Sequence, residues 1–168
     1  MSRWFVSLIA LMLFAVPAAH AQDGGIRIDQ PWARATPGAV KSGAVYLTIV
    51  NSGATDDQLT VITSPAADRA MVHVMKMDKG VMSMRPVVSL PIPANQSVKL
   101  DPSSDYHVML EGLKAPLKEG QTVSLTLTFA HAGQKEITAP IAKVGAMQPD
   151  DTDKMPAGGM GNMPKMGH

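Results

Sequence analysis

From about residue 26 to residue 144, apolar and polar positions alternate with period two in one run after another. Val45, Leu47 and Ile49 alternate with Tyr46 and Thr48; Leu59 and Val61 follow; Val123, Leu125, Leu127 and Phe129 alternate with serine and threonine. Successive side chains of a strand point to opposite faces, so these runs predict half-buried β-strands. Asn51-Ser52-Gly53, Asp78-Lys79-Gly80, Pro93-Ala94-Asn95, Asp101-Pro102-Ser103-Ser104 and Lys118-Glu119-Gly120 supply the breaks between them. No segment sustains a 3.6-residue period, although residues 112–117 have room for a short helical turn. Seven to nine short strands at this spacing predict an all-β fold, an antiparallel Greek-key sandwich or barrel.

The two ends break the pattern. Arg3, the apolar run Trp4 to Val16, and Ala19-His20-Ala21 before a polar stretch describe a secretory signal peptide over residues 1–21. Its apolar part is shorter than the ~20 residues a membrane helix requires, and no later stretch approaches that length. Export to the periplasm is therefore expected, with no membrane insertion after signal removal. Residues 22–144 make one domain of ordinary size. From Gly145 to His168 methionine, glycine, proline and aspartate replace every aliphatic run, and such a segment cannot bury enough apolar surface to offset its ordering entropy. A disordered, methionine-rich tail is expected over 145–168.

Composition narrows the function. Lys+Arg is 15 against 14 Asp+Glu, and removal of Arg3 with the signal brings the balance to zero. Neither a basic footprint nor interleaved aromatics are present, which excludes nucleic-acid binding as a class. The chain has no cysteine, so an exported product must rest on its core without disulfides. It has 13 methionines, and two strings set methionine beside histidine: His73-Val74-Met75 followed by Met84, and His107-Val108-Met109. Imidazole suits copper, zinc or nickel, whereas a neutral thioether selects Cu(I). Cu(I) is therefore the expected ion.

Alternation places Met71, His73, Met75 and Met77 on one strand face, and Met82 and Met84 on a common face of the next strand. A loop of two or four residues between them sets His73 opposite Met84 and Met75 opposite Met82, with Cβ atoms roughly 4.5–5.5 Å apart. A three-residue loop with a glycine bulge sets Val74 opposite Met84 instead. Asp-Lys-Gly accommodates either, so the register stays open. His107 and Met109 are i and i+2 and share a face, and two such half-sites could close around one ion. Met71 and Met77 read as packing or rim residues. Met75 and Met82 are candidates for a surrounding layer that keeps water and harder ions away. His131 reads as a solvated turn residue and Trp32 as a core or edge aromatic.

These residues carry a family resemblance. His73 and Met84 are separated by ten residues, and His107-Val108-Met109 completes a pattern that resembles the periplasmic copper(I) chaperones called PCuAC. The stretches Pro31-Trp32-Ala33-Arg34-Ala35, Gly43-Ala44-Val45-Tyr46-Leu47, Tyr106-His107-Val108-Met109-Leu110 and Leu113-Lys114-Ala115-Pro116-Leu117 are similar to that family as well. One departure is visible: 22 residues rather than 21 separate Met84 from His107, and the turn Pro102-Ser103-Ser104-Asp105 could absorb the extra one. The resemblance implies a cupredoxin-like fold, Cu(I) held by His73, Met84, His107 and Met109, and delivery toward the CuA centre of cytochrome c oxidase. The implied partner is oxidase subunit II or a thiol-bearing copper assembly protein.

Alternatives remain from the residues themselves. Sequestration of copper for tolerance would suit the methionine-rich tail as well as delivery does. A blue-copper electron carrier needs a cysteine thiolate, which this chain lacks. No nucleophile–base pair or paired carboxylates stand out, so no enzyme is expected. In the tail, Met155, Met160, Met163, Met166 and His168 form a candidate second, weaker copper site, able to take Cu(II) through its harder ligands.

Overall fold

The computed structural model describes residues 25–149 except Lys79, and of Asp78 the backbone alone. Its strands, in chain order, are β1 (Ile26–Arg34), β2 (Ser42–Asn51), β3 (Asp57–Thr63), β4 (Arg69–Asp78), β5 (Val81–Val87), β6 (Leu90–Ile92), β7 (Gln96–Leu100), β8 (Tyr106–Glu111), β9 (Thr122–Phe129) and β10 (Gly133–Ala142). That is one more than the upper bound expected. No helix occurs among the described residues. Residues 112–117, which had room for a helical turn, form a bent loop instead, with Leu113 and Leu117 both buried in the core. Thr36 ties that loop down, donating its N–H to Leu117 O at 2.9 Å and accepting Leu117 N–H at Oγ1 at 3.0 Å.

The strands follow the order β4-β8-β2-β1-β10-β9-β3, and an Ile62↔Ala70 bridge between β3 and β4 closes the circuit into a barrel. β5 extends from β4, β6 from β3 and β7 from β2. Closure removes most of the unpaired edge that an open sheet of this length would present. One neighbouring pair departs from the antiparallel expectation, since β1 and β10 run parallel through Ala33↔Ile141 and Arg34↔Ala142. These strands come from opposite ends of the domain, and local alternation carries no information about their relative direction.

The inward positions of the alternating runs make one core: Val45, Leu47 and Ile49 of β2, Val108 and Leu110 of β8, and Val123, Leu125 and Leu127 of β9. Each such side chain contributes about 1.5–3 kcal/mol by leaving water. β1 changes phase on the way. Ile28 pairs with Ile49 but Trp32 pairs with Tyr46, a register shift of one residue across Asp29 to Trp32. Gln30 takes a left-handed φ of 48° there, and Pro31 follows, which can donate no ladder hydrogen bond. The extra residue flips the faces: Ile26 and Ala33 both point into the core, while Trp32 turns outward against Tyr46, ring centroids 4.5 Å apart.

Candidate metal centre

β4 and β8 lie side by side, and their inward residues Val72, Val108 and Leu110 are buried in the core. Alternation then sends Met71, His73 and Met75 of β4, and His107 and Met109 of β8, to the outer face. The register sets Met71 opposite Met109 and His73 opposite His107. The two histidine rings meet edge to face, 6.0 Å between centroids at 67°. Two strings separated by more than thirty residues of sequence thus stand in contact, with Ala44 of β2 opposite Met109 beyond them.

The β4–β5 hairpin takes neither expected register. Asp78 pairs with Val81, so Met75 stands opposite Met84, Met77 opposite Met82, and His73 opposite Pro86. Gly80 supports this tight turn with a left-handed φ of 81°. Relative to the pairing of His73 with Met84, the strand has slipped by two residues. A slip of two preserves faces where a slip of one inverts them. Met84 therefore lies on the same face as His73, one rung diagonal to it rather than directly across.

Burial is graded across this surface. The His107 residue is only 6% exposed and the His73 side chain 12%, whereas Met84 is 53% exposed. Both ring nitrogens of His73 are buried without a hydrogen-bond partner among the described residues. A buried polar atom left unpaired costs ~1–3 kcal/mol, so the arrangement favours any group that supplies the missing interaction. Burial, and then the nearby His73 ring, push the His107 imidazole below its usual pKa, which keeps its nitrogen lone pair free at neutral pH. Glu111 was not anticipated. It lies two residues beyond Met109 on the same face, and its carboxylate pairs with Arg69 at 3.1 Å while its other oxygen comes within 3.9 Å of His73 Nε2. The period-two rule that joined His107 to Met109 would have reached it. Among the described residues no group of three or more His, Cys, Asp or Glu side chains is arranged to hold a metal ion.

The remaining candidates fall elsewhere. Trp32 is buried with Tyr46 and Ala146 in a small cluster outside the main core. Residues 145–149, expected to belong to the tail, are described and dock here: Arg34 donates from Nε and a terminal nitrogen to Ala146 O, at 2.9 and 2.6 Å, and lies 5.2 Å over the Tyr46 ring. His131 sits in the β9–β10 turn, where its backbone N–H donates to Asp57. Met155, Met160, Met163, Met166 and His168, like the signal segment 1–21, lie outside the described residues.

The profile of the family described as "Putative lipoprotein LpqE-like" matches residues 26–141. A protein of Leifsonia xyli subsp. xyli named "Putative lipoprotein Lxx21020" is 30% identical over 121 residues, which cover 71% of each chain. Among solved structures, the apo PCuAC domain of PmoF2 superposes with a TM-score of 0.62 at 26% identity, covering 74% of this chain and 95% of that domain. The Cu(I) form of DR1885 from Deinococcus radiodurans gives 0.52 at 28% identity, covering 75% of this chain and 86% of that one. The barrel is thus the cupredoxin-like fold of PCuAC domains.

Proposed function

The chain belongs to the LpqE-like family, and from that premise we propose that it is a periplasmic copper chaperone which binds Cu(I) through His73, His107, Met84 and Met109. Its likeness to copper-binding PCuAC domains supports the copper-chaperone role, and the relatives named as lipoproteins support export. The observation that carries the ligand assignment is the β4–β8 register: it sets His73 against His107 on an outward face, with the His73 nitrogens unpartnered, Met109 on the same strand as His107 and Met84 one rung away.

Copper is the cargo, so the chemistry required is capture and release. Two imidazoles and two thioethers are neutral, which leaves the ion its single positive charge and favours Cu(I) over Cu(II). The histidines form the buried side of the site and Met84 its exposed side. An acceptor's ligand therefore enters most easily by replacing the Met84 thioether, and release proceeds by exchange of one ligand at a time. Glu111 is placed to orient His73 or strengthen it as a donor, as carboxylates beside ligating histidines do. Met75, opposite Met84, helps keep harder ions away.

The proposed recipient is the CuA site of cytochrome c oxidase subunit II, directly or through a thiol-bearing assembly protein. The tail residues Met155, Met160, Met163, Met166 and His168 form a proposed second, weaker site that also takes Cu(II). The same tail favours copper sequestration as the second reading. Loss of the protein impairs oxidase assembly at low copper under the first reading, and survival at high copper under the second.

Competition titration with a Cu(I) chelator, joined to X-ray absorption of the loaded protein, tests the site. Two nitrogen and two sulfur ligands are expected. Met84→Leu and His107→Ala should each weaken binding on the order of 100-fold or more, beyond the ~10–100-fold cost of losing an outer partner. Met71→Leu should leave affinity unchanged. Parental affinity in both Met84→Leu and His107→Ala would dismiss this ligand set.

A further inference from the structure

The β4–β5 hairpin carries more thioether than a four-ligand site uses. Met75 pairs with Met84 and Met77 with Met82, so four methionines stand in two cross-strand pairs on one face. The other face of the same hairpin carries Val74, Lys76, Ser83 and Arg85 and no methionine. Core filling does not explain the outer pair, because Met77 is 67% and Met82 59% exposed. We infer that Met77 and Met82 form a transient, thioether-only Cu(I) site at the hairpin tip, which passes the ion by way of Met75 and Met84 to the buried His73–His107 pair. This rests on the copper reading above and supplies the route by which that site loads.

The geometry suits stepwise transfer. Directly opposed Cβ atoms are about 4.5–5.5 Å apart, within reach of two side chains gripping one ion. Successive positions on one face of a strand are spaced about 6.6–6.8 Å. Methionine is unbranched with three rotatable bonds, so each sulfur can swing toward the neighbouring rung before the previous contact is lost. Exposure falls along the route, from 67% at Met77 through 53% at Met84 to 6% at His107. Binding strengthens in the same direction, from two thioethers in water to two imidazoles in a drier setting. Every step exchanges one neutral ligand for another. The ion remains Cu(I), and no electron or proton moves.

The test compares the full-length protein with its Met77→Leu/Met82→Leu variant, following by stopped flow the loading from a Cu(I)–bicinchoninate complex and the extraction of a one-to-one complex by excess chelator. Leucine keeps volume and apolarity but cannot ligate, and both substituted positions are exposed, so folding is preserved. Loading and extraction should slow by the same factor, about fivefold or more, with equilibrium affinity within about twofold, because a route between states changes rates and not end points. A Met77→Gln/Met82→Gln pair, which removes the apolar character too, should behave alike. Unchanged rates in the leucine variant would overturn the site and leave the outer methionines as an apolar docking patch. An affinity loss beyond tenfold would instead make them ligands of the tight site and overturn the relay. A parent protein that takes up no Cu(I) at all would remove the copper reading itself, an outcome separate from either.

Discussion

Two buried titratable side chains answer burial differently. Burial alone would raise Asp57, but N–H donors from Gln58 at 2.7 Å, His131 at 3.0 Å and Ala132 at 2.9 Å, helped by the His131 charge, hold it below the ordinary 3.8. The carboxylate thereby pins the β9–β10 turn to the start of β3. Asp57→Asn keeps one acceptor oxygen and is expected to cost about 1–3 kcal/mol at pH 7 in urea denaturation. A depressed folded-state pKa contributes stability above the unfolded value and loses it as pH falls through the folded one. The gap between parent and variant should therefore close below about pH 3.8, and a gap independent of pH would rule out the ionised clamp. His107 is lowered by burial and then by His73, so its proton enters only below the usual 6.5. With two proposed histidine ligands, Cu(I) affinity should be flat above about pH 7.5 and fall below about pH 6, by at most two protons, since thioethers do not titrate. A profile flat to pH 4.5 excludes two imidazole ligands.

Elements position what residues supply, and their ends are where small changes are felt. Gly112, immediately after β8, has a φ of 68°, and a Cβ there would collide with the Asp68 carboxylate. Asp68 in turn donates its N–H to Glu111 O at 3.0 Å, at the point where β4 begins. Gly112→Ala is expected to lower stability by about 1–3 kcal/mol and to disturb the β4–β8 pairing that joins His73 to His107. Gly80→Ala shares the left-handed strain but meets nothing within 4 Å, so thermal unfolding should show a smaller loss. Equal melting temperatures for the two variants would contradict this difference. The strands themselves were legible because Val45-Leu47-Ile49 or Val123-Leu125-Leu127 announces its inward face locally. The hairpin register was not, since Asp-Lys-Gly fits several turns and pairing depends on which turn closes. The bulge at Gln30, which turns Trp32 outward, left a hint only in Pro31.

At the scale of the whole molecule, the chain after β10 folds back on the barrel. Ala146 is 1% exposed against Trp32 and Tyr46, held by Arg34. Truncation after Pro149 should leave the melting temperature and the tight Cu(I) site unchanged while removing Cu(II) binding. Truncation after Val144 should in addition lower the melting temperature, because it strips the Arg34 hydrogen bonds and uncovers two aromatic rings. Identical melting temperatures for the two truncations would deny that docking a structural part. Retained Cu(II) binding after either cut would leave the tail without a metal role. By itself the sequence determined the all-β class, the absence of any disulfide, the candidate ligands and the face each shares, because alternation is a property of the strand backbone and thioether chemistry a property of the side chain. Tertiary structure alone decided that β4 lies beside β8, that β1 runs parallel to β10, that Met84 stands opposite Met75, and that Glu111 approaches His73. All but the hairpin pair join segments distant along the chain, with partners selected by how the core packs and the barrel closes, and the hairpin pair depends on which of several turns its residues close, which their local pattern leaves open.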